Sequence, residues 1–163
     1  IIFSIEPSPL GTGGAIKQAL RHATNELTFI LNGDTYIECD YKKLANCHRS
    51  TPTSILTIGT LADASESRYS KITVNQKNLI TSFGGETEGN GLPCRINGGI
   101  YVTRPKQLLE RLGKFRRSKF SLEQDFLSKL ERPSVFSFPL SGQFLDIGTP
   151  EDYYLSQEKL FVD

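Results

Sequence analysis

A chain of 163 residues, 37% hydrophobic and 23% charged, has room for one domain with a real core and not for two, and it is not a disordered tract. Its net charge of +1 gives no electrostatic case for nucleic acid or for a membrane surface, and no apolar run approaches the ~20 residues of a membrane span. Cys39, Cys47 and Cys94 are scattered, without CxxC spacing or a nearby histidine pair, which argues against zinc and against a disulfide framework and fits a reducing cytoplasm.

In chain order, Ile1–Ile5 is a short strand-like apolar run, followed by the Pro- and Gly-rich segment Glu6–Gly14. Residues 15–23 carry Ile16, Ala19, Leu20 and Ala23 at helical spacing. Leu27–Leu31 is a continuous apolar run, as expected of a strand covered on both faces, and it stops at Asn32-Gly33-Asp34. Asp40 is placed to cap a helix through about Asn46, and Ser54–Thr60 reads as the next buried strand. Lys71–Val74 and Leu79–Phe83 flank Asn75-Gln76-Lys77-Asn78, a hairpin signal. Ile96–Val102 is another strand with glycines near its start. Helices are predicted at Lys106–Leu112 and Leu122–Leu130, short strands near Val135–Phe138 and Gln143–Ile147, and a last helix opened by Pro150. Alternating strand and helix first, hairpins later, predict a single α/β domain with a mainly parallel, twisted sheet and an antiparallel extension.

Several short segments could carry chemistry. Leu10-Gly11-Thr12-Gly13-Gly14-Ala15 lies between strand and helix, where glycines let backbone approach a ligand and free amides favour anions. A plain tight turn accounts for it equally well. Asp34 follows a buried strand at the sheet edge where open α/β sheets bind ligands, a setting suited to a hard cation, although Asn-Gly-Asp is also an ordinary turn. Asp146, between Leu145 and Ile147, needs a partner because an unpaired buried charge is costly; a salt bridge or a shared metal would each supply one. Asn97-Gly98-Gly99 weakens a strand and marks close approach of a ligand or of another backbone. Glu123 opens a helix, where it also suits the helix dipole. His22 and His48 fit surface or capping positions, and the basic run Lys114–Lys119 fits a solvated helix end.

Taken together, the segments Pro9–Ala15, Leu31–Thr35, Ser67-Arg68-Tyr69, Ile96–Tyr101 and Gly142–Tyr153 resemble the sugar-1-phosphate nucleotidyltransferases, in particular the heptose-1-phosphate and mannose-1-phosphate guanylyltransferase-like branch. The likeness runs from about Glu6 to Tyr154. It implies a Rossmann-like (GT-A-like), three-layer α/β/α domain over residues 1–163, and a reaction of a nucleoside triphosphate with a sugar-1-phosphate that releases pyrophosphate. GTP with heptose- or mannose-1-phosphate is the pairing implied. Leu10, Gly11, Thr12, Gly13, Gly14 and Gly33 would border the nucleotide. Asp34 and Asp146 would be the catalytic ligands of Mg2+. Asn97, Gly98, Gly99 and Glu123 would meet the sugar. Nucleotide and sugar phosphate are the partners implied, without nucleic acid or membrane, and homo-oligomer formation is compatible with the pattern.

Two departures from the family pattern shape the expectation. The chain opens at Ile1, without methionine anywhere, as a domain truncated at its N-terminus would, and the family's opening strand and glycine-rich phosphate loop are not in it. Glu86, in Phe83-Gly84-Gly85-Glu86, stands where the family writes a lysine. The 163 residues alone are therefore expected to lack turnover. The alternative is a non-catalytic nucleotide-sugar-binding or regulatory module of the same descent. A GT-A glycosyltransferase is less favoured, because Asn32-Gly33-Asp34 is not an Asp-x-Asp motif.

Overall fold

A strand needs a ladder partner for its backbone hydrogen bonds, and those partners fix the architecture here. The computed structural model describes residues 1–62, 69, 71–83, 93–130 and 134–160. Its helices are α1 (Gly11–Ala19, tightening into a 3-10 turn at Leu20–His22), α2 (Tyr41–Arg49), α3 (Pro105–Gly113) and α4 (Pro150–Leu160). The strands are β1 (Thr28–Leu31), β2 (Thr35–Ile37), β3 (Leu56–Ala62), β4 (Lys71–Val74), β5 (Ile80–Phe83), β6 (Cys94–Thr103), β7 (Val135–Pro139) and β8 (Phe144–Asp146).

The long strand β6 is the hub. It pairs antiparallel with β1, β3 and β4, while β3 pairs parallel with β7. Strands β1, β3, β4 and β7 therefore run one way, and β6 is a reversed strand set among them. The expected common strand direction is present, but β6 turns most of the ladders antiparallel. The hairpin β4–β5 forms the antiparallel extension. Asn75 Oδ1 closes its turn by accepting from Lys77 N and Leu79 N, with Asn78 at φ 57.

Side chains alternate along β6 and so build two cores. Tyr101 joins Leu56, Ile58, Leu108, Leu112 and Leu122 on the face covered by α1 and α3. Ile100 and Val102 join Ile37 and Leu44, with α2, on the other. The result is the three-layer α/β/α arrangement. Among the described residues no helix is long and apolar enough to cross a membrane.

The structure departs from several sequence expectations. Ile1–Ile5 forms no strand among the described residues. Its side chains at Ile1, Ile2, Phe3 and Ile5 are exposed, because β-propensity without a ladder partner does not make a strand. Helix α1 starts at Gly11, four residues early by sequence reading, since glycine is a poor helix former. Packing overrides that preference. A Cβ on Gly13 would come within 2.2 Å of the Phe120 ring, and one on Gly14 within 2.4 Å of the Ser118 carbonyl oxygen. Leu122–Leu130 is not an α-helix but a wide π turn at Leu122–Phe126 followed by a 3-10 turn at Leu127–Lys129. Strand β2, too short to read from sequence, exists because β8 pairs with it.

His48 also differs: it is fully buried rather than superficial. It lies on the inner face of α2, where Asp40 caps the helix by accepting from Lys43 N. Its Nδ1 is 2.8 Å from Thr57 Oγ1, and the Arg104 guanidinium donates to the carbonyls of His48 and Arg49. Burial, then the Arg104 charge, lowers its pKa from 6.5 to about 4. A histidine depressed in the folded state leaves the unfolded chain binding the proton more readily. The stabilisation is full above pH 6.5 and is lost as pH falls from 6.5 to about 4. The loss is on the order of 3 kcal/mol. Denaturant melts across this range check it: His48→Gln should flatten the acid limb, and parallel curves for the two proteins would refute the assignment.

Candidate functional site

Strand β1 ends against the bend in β6, and the chain leaves it as Asn32-Gly33-Asp34. Leu31 pairs with Ile100, and Asn32 N donates to the Gly99 carbonyl at 2.9 Å. Gly99 has φ +71, and a Cβ there would lie 3.0 Å from Asn32 Nδ2. Only glycine accepts both the backbone angle and the Asn32 side chain. A Cβ on Gly98 would meet Ile37 Cδ1 at 2.8 Å and the Gly59 carbonyl oxygen at 2.9 Å. The close approach signalled by the glycine pair is thus made by protein atoms, and both glycines are buried.

Beside this crossing lies an open cleft of about 460 Å³. Its walls are Thr12 and Ile16 of α1, the run from Ile30 to Asp34, Tyr101 and Glu123. Asn97, Gly98 and Gly99 are not among the lining residues; Asn97 reaches the cleft through Tyr101.

Glu123 sits in the π turn, at its N-terminal end, and is turned inward and half-buried. Tyr101 Oη donates to Glu123 Oε1 at 2.8 Å and accepts from Asn97 Nδ2 at 2.7 Å. Asn97 Oδ1 in turn accepts from Gly99 N at 3.0 Å. The other carboxylate oxygen, Oε2, accepts from Thr12 Oγ1 and from Ser121 Oγ, both at 3.3 Å. Burial, and then the Glu123 carboxylate, push the Tyr101 phenol far above its ordinary range, so it remains a donor. Sequence reasoning passed over Tyr101. Its signal was a phenol on a buried strand, which must find a partner, with Asn97 four positions before it.

The two aspartates approach through topology. Strands β2 and β8 pair antiparallel with Thr35 opposite Asp146, and Ile147 N donates to the Asp34 carbonyl at 2.9 Å. A Cβ built on Gly148 would lie 3.0 Å from Asp146 Oδ1 and 4.0 Å from Asp34 Oδ2. Both oxygens therefore lie within 4.0 Å of one point beside Gly148 and border one small space. Asp34 is exposed, and Asp146 Oδ1 accepts from Gly148 N at 2.8 Å. Two hard oxygen donors facing one gap fit a divalent ion such as Mg2+. Among the described residues no third Asp, Glu, His or Cys joins them, which leaves positions for ligand or water oxygens.

The glycine segment behaves differently from a free loop. Leu10 O accepts from Phe120 N at 2.9 Å, and Gly13 N donates to Phe120 O at 3.0 Å. Gly13 and Gly14 are buried against residues 118–120, so of this segment Gly11 and Thr12 stay exposed. Gly33 has nothing within 4 Å of where its Cβ would be and faces open space. Ser67, Arg68 and Glu86 lie outside the described residues; Tyr69 packs edge-on against Phe144.

The chain matches the family model for nucleotidyl transferases over residues 1–161. It is 37% identical to D-glycero-alpha-D-manno-heptose 1-phosphate guanylyltransferase of Aneurinibacillus thermoaerophilus, over 98% of this chain and 67% of that protein. Against mannose-1-phosphate guanyltransferase of Saccharomyces cerevisiae the identity is 32%, over 100% of this chain and 45% of that one. The crystal structure of HddC from Yersinia pseudotuberculosis complexed with GMP-PN superposes with a TM-score of 0.75 at 35% identity, covering 96% of this chain and 65% of that chain. The chain thus spans about two thirds of the length of the heptose enzymes and less than half of the yeast one.

Proposed function

Because the chain belongs to the nucleotidyl transferase family, we propose that it forms the core of a sugar-1-phosphate guanylyltransferase of nucleotide-sugar biosynthesis, taking GTP and a heptose- or mannose-1-phosphate. The observation that carries this reading is the pair Asp34 and Asp146, whose carboxylate oxygens approach one point beside Gly148 at the edge of a cleft lined by Asp34 and Glu123. The relatives' names support this catalytic reading over a non-catalytic binding module. A cytoplasmic setting agrees with the cysteine usage.

In this reading an oxygen of the sugar-1-phosphate attacks the α-phosphorus. The bond from that phosphorus to the oxygen bridging to the β-phosphate breaks, and pyrophosphate leaves with the bonding electrons. The nucleophile is already an anion, so no general base is required, and the protein's work is positioning and charge. Asp34 and Asp146 would hold Mg2+, which supplies neutralisation of phosphate charge when bound. Exposed Gly11, Thr12 and Gly33 would border the nucleotide. Glu123, its two oxygens already oriented by Tyr101 and Thr12, would accept hydrogen bonds from sugar hydroxyls through its remaining lone pairs.

Assaying pyrophosphate release by the protein in its native length, over a panel of triphosphates and sugar-1-phosphates with Mg2+, tests this. The expected result is turnover with GTP and a manno-configured sugar-1-phosphate. Tight binding of nucleotide sugar with no pyrophosphate from any pair would move the protein to the non-catalytic reading.

A further inference from the structure

The two halves of the cleft are joined through one hydroxyl. Thr12, at the start of α1, accepts from Leu122 N at 2.9 Å and donates to Glu123 Oε2 at 3.3 Å. The same two segments are laced by Phe120 N to Leu10 O and Gly13 N to Phe120 O. Phe120 fills the space where a side chain on Gly13 would be. Residues 10–13 and 120–123 therefore form one body, although more than a hundred positions separate them in sequence. Within it, Gly11 and Thr12 are exposed and Thr12 lines the cleft, while the Thr12 hydroxyl reaches the carboxylate that Tyr101 holds by its other oxygen.

We propose that Thr12 is a positioning residue that couples the nucleotide and sugar-phosphate subsites, so that each substrate tightens the binding of the other. The inference rests on the guanylyltransferase reading of the cleft. A nucleotide resting on Gly11 and Thr12 restricts the start of α1, and the Thr12 hydroxyl passes that restriction to Glu123. The second ligand then meets a carboxylate already ordered, and loses less freedom on binding. The effect is reciprocal, because coupling is a property of the pair of sites. Valine at 12 keeps the γ-branching and removes both hydrogen bonds; serine keeps the hydroxyl.

The test measures affinity for an α,β-methylene GTP analogue, whose α–β bridge cannot be cleaved, by calorimetry, with and without saturating mannose-1-phosphate and in the presence of Mg2+, in the native-length protein. Wild type is expected to gain about fivefold or more in nucleotide affinity when the sugar phosphate is present. Thr12→Ser should keep that gain, and Thr12→Val should bring it below about twofold, the gain being read as the ratio of affinities with and without sugar phosphate in each protein. Thr12→Ala gives the same reading should valine disturb the fold, which thermal melts report. Coupling undiminished in folded Thr12→Val or Thr12→Ala would overturn the role of Thr12 while leaving the guanylyltransferase reading intact. Wild type that binds neither ligand would overturn that reading and this coupling with it.

Discussion

Replacing Asp34 or Asp146 by asparagine is expected to lower the rate of pyrophosphate release by at least about 10²–10³ at saturating substrates, with the fold intact. The substitution isolates charge from shape. Asparagine at 146 still offers an oxygen to Gly148 N, and Asp34 is exposed, its Oδ1 accepting from Thr35 Oγ1. Asp34→Asn alters an exposed side chain, so its melting temperature should move little. What each removes is one negative charge facing the gap beside Gly148. A divalent ion is held there by charge as well as by geometry, so the Mg2+ concentration for half-maximal rate should rise in both variants. The two losses should be far from additive, since either aspartate alone is an incomplete site. Retention of rate within about threefold, with an unaltered Mg2+ requirement, would mean that the aspartates meet for structural reasons only.

Tyr101→Phe has the second-largest expected effect. Phenylalanine fills the same space in the core and deletes one oxygen. That oxygen bridges Asn97 Nδ2 and Glu123 Oε1, so one removal leaves a donor and an acceptor short in a part-buried site. The cost to folding should be about 1–3 kcal/mol. Glu123 would keep Thr12 and Ser121 on Oε2 and lose Tyr101 from Oε1, freeing its carboxylate to rotate. The affinity for sugar-1-phosphate should fall by about tenfold, close to 1.4 kcal/mol. The KM for nucleotide should hold nearly constant. This split separates a positioning role from general destabilisation, which would lower the active fraction for both substrates alike. Equal rises in both KM values would refute the assignment.

Some of this was decided by residue order alone. The runs around 28–31, 56–60 and 96–102 read as strands, Asn75–Asn78 as a turn and Asp40 as the cap of α2, because these signals come from neighbours a few positions away. Asp34, Asp146 and Glu123 were legible as candidates from their chemical type and local setting. Sequence could not show what the carboxylates face. Asp34 and Asp146 meet because the three-residue strands β2 and β8 pair with Thr35 opposite Asp146, and strands so short carry almost no periodic signal. Local preference could not show what the glycines meet: at 13, 14, 98 and 99 they accommodate Phe120, Ser118, Ile37 and Asn32. It misplaced His48, whose burial depends on Thr57 across α2 and β3. Tyr101 likewise acquired its role only when the sheet carried Glu123 to it. Propensity and capping are local energies, read from a window of residues. Which carboxylate shares a gap, and which hydroxyl reaches it, follows from packing between segments far apart in sequence, and only the tertiary structure determines that.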